Sequence, residues 1–253
     1  MYAPERHTEI LTRARTLGRV EVTTLATELD VTQETIRRDL TALERRGLVR
    51  RVHGGAIPVE RLGLEPAVSE REHTNPDAKD AIARAALEEL PDNGSIIVDA
   101  GTTTIRLAAL IPQDKELVVV THSITVAHSL SNHPHVTLHL VGGHVRARTL
   151  AAVGPWALSS LQDIHVDVAF VGTNGLSAER GLTTPDMEEA AVKRAIIQSA
   201  RRTVVLADHS KLGRDEFAFF GPVTAIDTLI TDSAADSSML ADIERAGVVV
   251  TQA

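Results

Sequence analysis

Apolar positions in the first 57 residues recur at helical spacing. Ile10, Leu11, Ala14 and Leu17 form one stripe that stops at Gly18, where a C-terminal cap belongs. A second short helix carries Val22, Leu25, Ala26 and Leu29 and ends at Asp30-Val31. Thr32 then stands as an N-cap with Glu34 in the first turn, and Ile36, Leu40 and Leu43 make a third stripe up to Gly47. Two short helices across a tight turn, the second polar on its outer face, predict a helix-turn-helix. The segment 48–57 alternates briefly around Gly54-Gly55, which predicts a two-stranded wing.

Residues 58–75 are charged and irregular, with Pro58, Gly63 and Pro66 but no sustained period, and are read as a linker. From residue 76 to 253 the pattern alternates between strands and helices. Apolar runs at 95–99, 117–121, 136–141, 166–172, 203–207, 228–231 and 248–251 predict strands. Ala78, Ile82, Ala86 and Leu90 recur every four residues, and helical patterns follow near 104–110, 123–131, 155–162, 187–200 and 238–246. Such alternation predicts an α/β domain whose mostly parallel sheet is covered by helices on both faces. The expected architecture is an N-terminal winged helix-turn-helix (1–57), a linker (58–75) and a C-terminal α/β domain (76–253).

Composition narrows the function. The 253 residues are 43% hydrophobic, enough for a real core, and contain no cysteine, which removes disulfides, cysteine-bound zinc and thiol nucleophiles. Met1–His7 has no signal-peptide core and no apolar run approaches a bilayer span, so a soluble cytoplasmic chain without membrane partners is expected. Six aromatics are too few for single-strand stacking platforms. The net charge of −8 divides unevenly: residues 1–57 hold ten arginines, no lysine and eight acidic groups, whereas the remainder is strongly acidic. An arginine-only head suits phosphates and guanine edges. Its third helix turns Glu34, Arg38, Thr41 and Arg45 outward, with Thr35 and Arg37 on the flanks, while Asp39 lies near the apolar stripe and is expected to pair with an arginine of the head.

In parallel sheets ligands sit at the carboxyl ends of the strands. Here the strand ends read Asp99-Ala100-Gly101-Thr102-Thr103-Thr104, Thr121-His122-Ser123, Gly142-Gly143-His144-Val145-Arg146, Gly172-Thr173-Asn174-Gly175 and Asp208-His209-Ser210-Lys211. The first runs straight into a helix, whose free N–H groups and partial positive charge favour an anion. It lacks the lysine of a P-loop and the spacing of a dinucleotide fingerprint. Glycines, hydroxyls, an amide and basic groups together fit a phosphorylated polyol. The eleven histidines show no ligand spacing, so neither a metal nor another cofactor is expected.

The run Thr32-Gln33-Glu34-Thr35-Ile36-Arg37-Arg38-Asp39-Leu40, followed by Arg51-Val52-His53-Gly54-Gly55-Ala56, resembles the helix-turn-helix and wing of the DeoR family of bacterial transcriptional regulators. The strand ends, with Gly181-Leu182-Thr183, stand in the order of that family's sugar-phosphate sensor domain. The resemblance implies a body similar to ribose-5-phosphate isomerase, operator DNA as partner, a sugar phosphate as effector and a homo-oligomer, dimer or tetramer. It places DNA contacts on Thr32, Gln33, Thr35, Arg37, Arg38, Thr41, Arg51 and His53. Effector contacts are expected from Asp99, Gly101, Thr102, Thr103, Thr104, Thr121, His122, Ser123, Gly142, Gly143, Arg146, Asn174, Gly175 and Lys211. One departure is His122, where the family pattern has asparagine.

The Met1–Arg6 opening and the Gly172–Gly175 stretch resemble fructose-operon regulators, which makes fructose 1-phosphate the first effector expected. The rival function is a phosphosugar isomerase. Aldose–ketose interconversion needs a carboxylate base near the substrate carbon, and the stretch where isomerases carry an acidic pair reads Thr173-Asn174-Gly175 here. Binding without catalysis is therefore expected, from a repressor of a carbohydrate uptake or catabolism operon.

Overall fold

The computed structural model describes residues 3–17, 20–45, 48–52, 54–58 and 66–253. The chain divides into two compact units, Met1–Glu65 and Pro66–Ala253.

In the first unit three helices, α1 (Ala3–Leu17), α2 (Val22–Glu28) and α3 (Gln33–Arg45), enclose one core. Ile10, Ala14, Val22, Leu25, Ala26, Leu29, Ile36, Leu40 and Leu43 are all buried in it, so the three predicted stripes face one another. The Thr35 N–H donates to Thr32 Oγ1 at 3.2 Å, which caps α3 as its sequence predicts. Gly18, Gly47 and His53 lie outside the described residues. The wing has three strands rather than two: β1 (Val20–Glu21), β2 (Val49–Val52) and β3 (Gly55–Pro58) pair in the order β1-β3-β2. Two residues are too few to show a period, which is why β1 escapes a reading by alternation. Gly55 is required by this pairing, because a β-carbon there would lie 1.9 Å from the Val20 carbonyl oxygen.

The second unit is built on seven parallel strands: β4 (Asn93–Val98), β5 (Glu116–Thr121), β6 (Val136–Leu140), β9 (Val166–Gly172), β12 (Ala200–Leu206), β14 (Thr228–Thr231) and β15 (Val249–Gln252). All seven predicted strands are present, in the order β15-β14-β12-β9-β4-β5-β6. Alternate residues feed two cores. Ile96, Val98, Val119 and Phe170 pack on α5 (Pro76–Ala85), α6 (Thr102–Leu110) and α7 (Ile124–Leu130). Ile97, Val120, Ala169 and Val205 pack on α8 (Pro155–Gln162), α9 (Met187–Gln198) and α10 (Ser237–Arg245). The sheet is thus doubly covered, and the chain reverses its direction of growth between β4 and β9.

Two small additions escape the predicted pattern. One is the hairpin β7 (His144–Arg146) and β8 (Ala151–Val153); the other is an antiparallel sheet of β10 (Gly175–Ser177), β11 (Gly181–Thr184) and β13 (Ala218–Gly221). Their strands are short, and β8 and β11 are buried at every position, so neither alternates. Residues 66–75 also differ from the expected linker: α4 (Val68–Glu72) forms there, the Val68 N–H donates to the Arg148 carbonyl at 2.7 Å, and Asn75 Nδ2 donates to Asp208 at 2.9 Å. The backbone and Asn75 of this segment bond to the body instead. No helix among the described residues is long and apolar enough to cross a membrane.

Candidate functional site

In the first unit the outer face of α3 carries a groove lined by Glu34, Arg37, Arg38, Thr41, Ala42, Arg45 and Arg51. Thr32, Gln33, Arg37 and Arg38 are exposed, and Thr35 and Thr41 half-buried. Glu34 lies 3.6 Å from Arg37 and 3.9 Å from Arg38, and Arg37 donates to Gln33 Oε1 at 3.2 Å. These are solvated contacts of little net energy, so the guanidinium groups remain available to phosphate or base edges. Arg51 brings the wing to the same face: its Nη1 donates to Thr41 Oγ1 at 3.3 Å and its backbone N–H to Glu44 at 2.9 Å. Asp39 does not face outward. It accepts from Arg6 Nε at 2.5 Å and Nη2 at 3.1 Å, and lies 3.0 Å from His7 Nε2, which ties α1 to α3.

In the second unit, the ends of β4 and β9 flank the point where the sheet reverses. Asp99, just past β4, is completely buried. Its Oδ2 accepts from the Gly172 N–H at 2.8 Å and pairs with Lys193 Nζ; its Oδ1 lies 2.9 Å from His122 Nε2. Lys193 reaches in from α9 and also donates to the Gly172 carbonyl at 3.0 Å, with its ammonium 5.6 Å from the centre of the Phe220 ring. His122 Nδ1 donates to the Ala152 carbonyl at 2.9 Å, and Nε2 also lies 3.2 Å from the Ala100 nitrogen. Burial by itself would raise the Asp99 pKa, but the Lys193 charge and the His122 bond overcome that and hold it at about 2. Asp99 is therefore an ionised hub that fixes the ends of β4 and β9, the start of the Ala100–Thr104 turn and the β8 strand.

Several residues expected at the ligand are engaged within the body. Asp99 and His122 are buried supports of the strand ends. Thr121 donates to the Val98 carbonyl at 2.6 Å, Ser123 caps α7 by accepting from Val126, and Thr104 turns back on the Gly101 carbonyl at 3.0 Å; all three are fully buried. Arg146 is held by Asp186 at 3.3 Å and by Glu189, so its charge is already matched. Asn174 accepts from Thr184 at 3.1 Å. Gly143 and Gly175 answer to packing, since β-carbons there would lie 2.6 Å from the Val153 oxygen and 2.5 Å from the Arg214 oxygen. Gly142 is exposed.

What remains at the edge is compact: the turn at Gly101, the first α6 residues Thr102 and Thr103, and Lys211 on a 3-10 turn after β12. The hydroxyls of Thr102 and Thr103 have no protein hydrogen-bond partner among the described residues. Lys193 and Glu189 escape a reading by motif because they sit at buried positions of α9, one turn apart, beside Ala190, Val192 and Ile196. A lysine among apolar neighbours at i−1 and i+3 was the available signal.

Two family models match the chain: a DeoR-like helix-turn-helix domain over residues 6–61 and a DeoR C terminal sensor domain over 74–233. The HTH-type transcriptional regulator GlpR of Haloferax volcanii is 42% identical over 90% of this chain and 89% of its own. FruR of Bacillus subtilis, also an HTH-type regulator, is 36% identical over 92% of each. Among solved structures, ribose 5-phosphate isomerase A of Methanocaldococcus jannaschii superposes on 55% of each chain with 17% identity and a TM-score of 0.41. With both domain models matched in order and relatives aligned along almost its whole length, the chain belongs to the DeoR family and is a DNA-binding transcriptional regulator.

Proposed function

We propose that the chain represses a carbohydrate uptake or catabolism operon, binds its operator as a homo-oligomer, and is controlled by a sugar phosphate at the carboxyl edge of the body. The observation that carries the ligand half is the uncapped start of α6. Helices α7, α9 and α10 each begin with a side-chain oxygen that accepts a first-turn N–H, from Ser123, Asp186 and Asp236. Helix α6 begins with Gly101, which has none, as is also true of α5 and α8. Its first N–H groups and its dipole are left for an anion, with the Thr102 and Thr103 hydroxyls beside them. Lys211 is half-buried, has no carboxylate within ion-pair distance among the described residues, and its pKa is lowered by burial against the pull of Asp208. A symmetric operator favours a symmetric protein, which supports the homo-oligomer.

The body binds without turnover in this reading. Thr173, Asn174 and Gly175 follow β9 where an isomerase needs a carboxylate, and the Asp208 carboxylate is taken up by Ser210 and Asn75. Fructose 1-phosphate heads the ligands to test. Thermal shift of the full chain against a panel of sugar phosphates is the direct experiment, beside a gel shift on the DNA upstream of the chain's own gene. A ligand at a hundredfold excess over its Kd stabilises one site by about 2.7 kcal/mol, which the melt resolves. A panel without any shift refutes the sensor reading, and turnover of ribose 5-phosphate in a coupled assay favours the isomerase.

A further inference from the structure

Helix α9 turns one face into the body and leaves the other uncovered. Glu189, Val192, Lys193 and Ile196 point inward, to Arg146, the core and the Asp99 hub. Met187, Glu188, Ala191, Arg194, Ala195 and Gln198 share the outward arc, at spacings that bring them to one side of a helix. Met187 is 64% exposed, and Ala191 and Ala195 are half-buried.

Aromatic side chains flank this arc. Glu188 lies over Gly154, where a β-carbon would stand 3.8 Å from its Oε1, and two residues further on Trp156, the chain's one tryptophan, is 79% exposed. At the opposite edge of the arc, Arg194 Nη2 donates to the Phe219 carbonyl at 2.8 Å, and Phe219 is 47% exposed. Tryptophan, phenylalanine and methionine are the side chains enriched at the centres of protein interfaces. The alanines between them let a second helix approach to the near end of the roughly 8–10 Å range of packed helices.

The two charges of the arc identify the partner. Among the described residues Glu188 has only His144 nearby, at 3.9 Å, and Arg194 has no carboxylate within ion-pair distance. The two stand three residues either side of Ala191. If a second α9 runs antiparallel across a twofold axis at Ala191, Glu188 of each copy comes level with Arg194 of the other, and Met187 with Ala195. Opposite charges then meet twice. A parallel pair would instead set Glu188 against Glu188 and Arg194 against Arg194.

We propose that the outward face of α9 is the twofold interface of the homo-oligomer, closed by a second copy of this chain through reciprocal Glu188–Arg194 pairs about Ala191. The proposal rests on the homo-oligomer reading and names the surface that makes it. Because the inward face of the same helix sends Lys193 to Asp99, the interface and the strand-end hub share one element.

Sedimentation velocity of the full chain over a concentration series, beside Glu188→Arg and Arg194→Glu, tests this. Each reversal alone sets like charges against each other across the axis, and should raise the dissociation constant by about tenfold or more. Both positions are exposed, so the circular dichroism of each variant should match the parent's. A one-to-one mixture of the two variants decides the case. One copy then brings two arginines to the axis and the other two glutamates, so mixed pairs should regain the parent's association, which no effect within a single copy can produce. A tetrameric parent should fall to dimers in either variant and recover in the mixture. Folded variants that associate like the parent, or that stay apart when mixed, overturn the α9 interface and leave this face to another protein or to solvent. A parent chain that is monomeric at every concentration overturns the homo-oligomer reading, and this proposal with it.

Discussion

The outward face of α3 and the carboxyl edge of the body are both rich in polar groups, yet they are built on opposite terms. The Arg38 side chain is 82% exposed and touches Glu34 only at 3.9 Å. Asp99, His122 and Lys193 are at most 2% exposed and satisfy one another and the backbone. Polar groups on the first surface are held in reserve for a partner outside the chain. Those in the second interior fix the backbone that carries Thr102, Thr103 and Lys211, whose side-chain polar groups have no hydrogen-bond or ion-pair partner among the described residues. A substitution in the buried set should therefore damage the fold first, and one on the exposed face should damage binding alone.

The largest effect tests the buried side of that contrast. Lys193→Met leaves an uncompensated Asp99 charge, a change that costs about 3–5 kcal/mol in buried pairs. Urea denaturation should show the body unfolding at a much lower midpoint, and a midpoint like the parent's would show that the hub does not hold the body together. The pH dependence has a definite sign. Asp99 ionises at about 2 in the fold, below its ordinary 3.8, so its stabilisation is complete above about pH 4 and is lost as pH falls through 2. Asp99→Asn should lack that limb of the acid denaturation curve.

The exposed side predicts the reverse. Arg37→Ala combined with Arg38→Ala should shift the melt by little, as surface changes usually stay within about 0.5 kcal/mol. Operator affinity should fall by roughly tenfold or more for each guanidinium that reads a base edge, at about 1–3 kcal/mol per bidentate pair. The salt dependence should also flatten by about 0.9 in slope for each guanidinium that neutralises a phosphate. Fluorescence anisotropy over a salt series measures both, and an unchanged operator affinity would take α3 out of the groove.

The same contrast explains what could be read from the sequence. The three helical stripes and the seven strands are statements about which side chains avoid water, and period reports that directly. The turn at Gly101–Thr104 was legible because glycine, hydroxyls and a helix start adjoin in the chain. The hub was not, because Asp99, His122 and Lys193 lie on three elements and meet only through the strand order. Lys79 and Lys193 occupy apolar faces of α5 and α9, where a periodic reading sees a tolerated exception rather than a buried cation. The ion pairs of Arg146 were hidden for a related reason: its position at a strand end was visible, but its partners Asp186 and Glu189 arrive with α9. The segment 66–75 read as a tether because its charges show no period, yet its backbone and Asn75 bond to the body.

A smaller effect probes the few groups that do face the edge. Thr103→Val keeps the β-branched shape and deletes one hydroxyl that has no protein partner among the described residues. One lost hydrogen bond to a charged group corresponds to about 1.5–3 kcal/mol at most, and to less where water replaces it. Affinity for the sugar phosphate should fall roughly tenfold while the melt of the ligand-free chain stays near the parent's. If Thr103→Val instead lowers the ligand-free melt as Lys193→Met does, the division between buried support and outward ligand group fails at this residue.

The smallest effect belongs to Thr32, where both roles meet in one hydroxyl. Its Oγ1 accepts the Thr35 N–H at 3.2 Å and lies 2.9 Å from Thr35 Oγ1, so it caps α3 while remaining exposed on the side offered to DNA. Replacing such a cap with alanine costs about 1 kcal/mol. Thr32→Ser keeps the oxygen, so it should restore the melt of Thr32→Ala nearly to the parent's. Operator affinity then separates the roles. If Thr32 acts only as a cap, Thr32→Ala should bind the operator almost as well as the parent once it is folded. If the hydroxyl also serves a phosphate, affinity should fall by several-fold beyond the change in melt, and serine should recover both. A Thr32→Ser chain that melts like the parent but binds operator as poorly as the alanine chain would assign the binding loss to the threonine methyl, and place that methyl rather than the hydroxyl at the DNA surface.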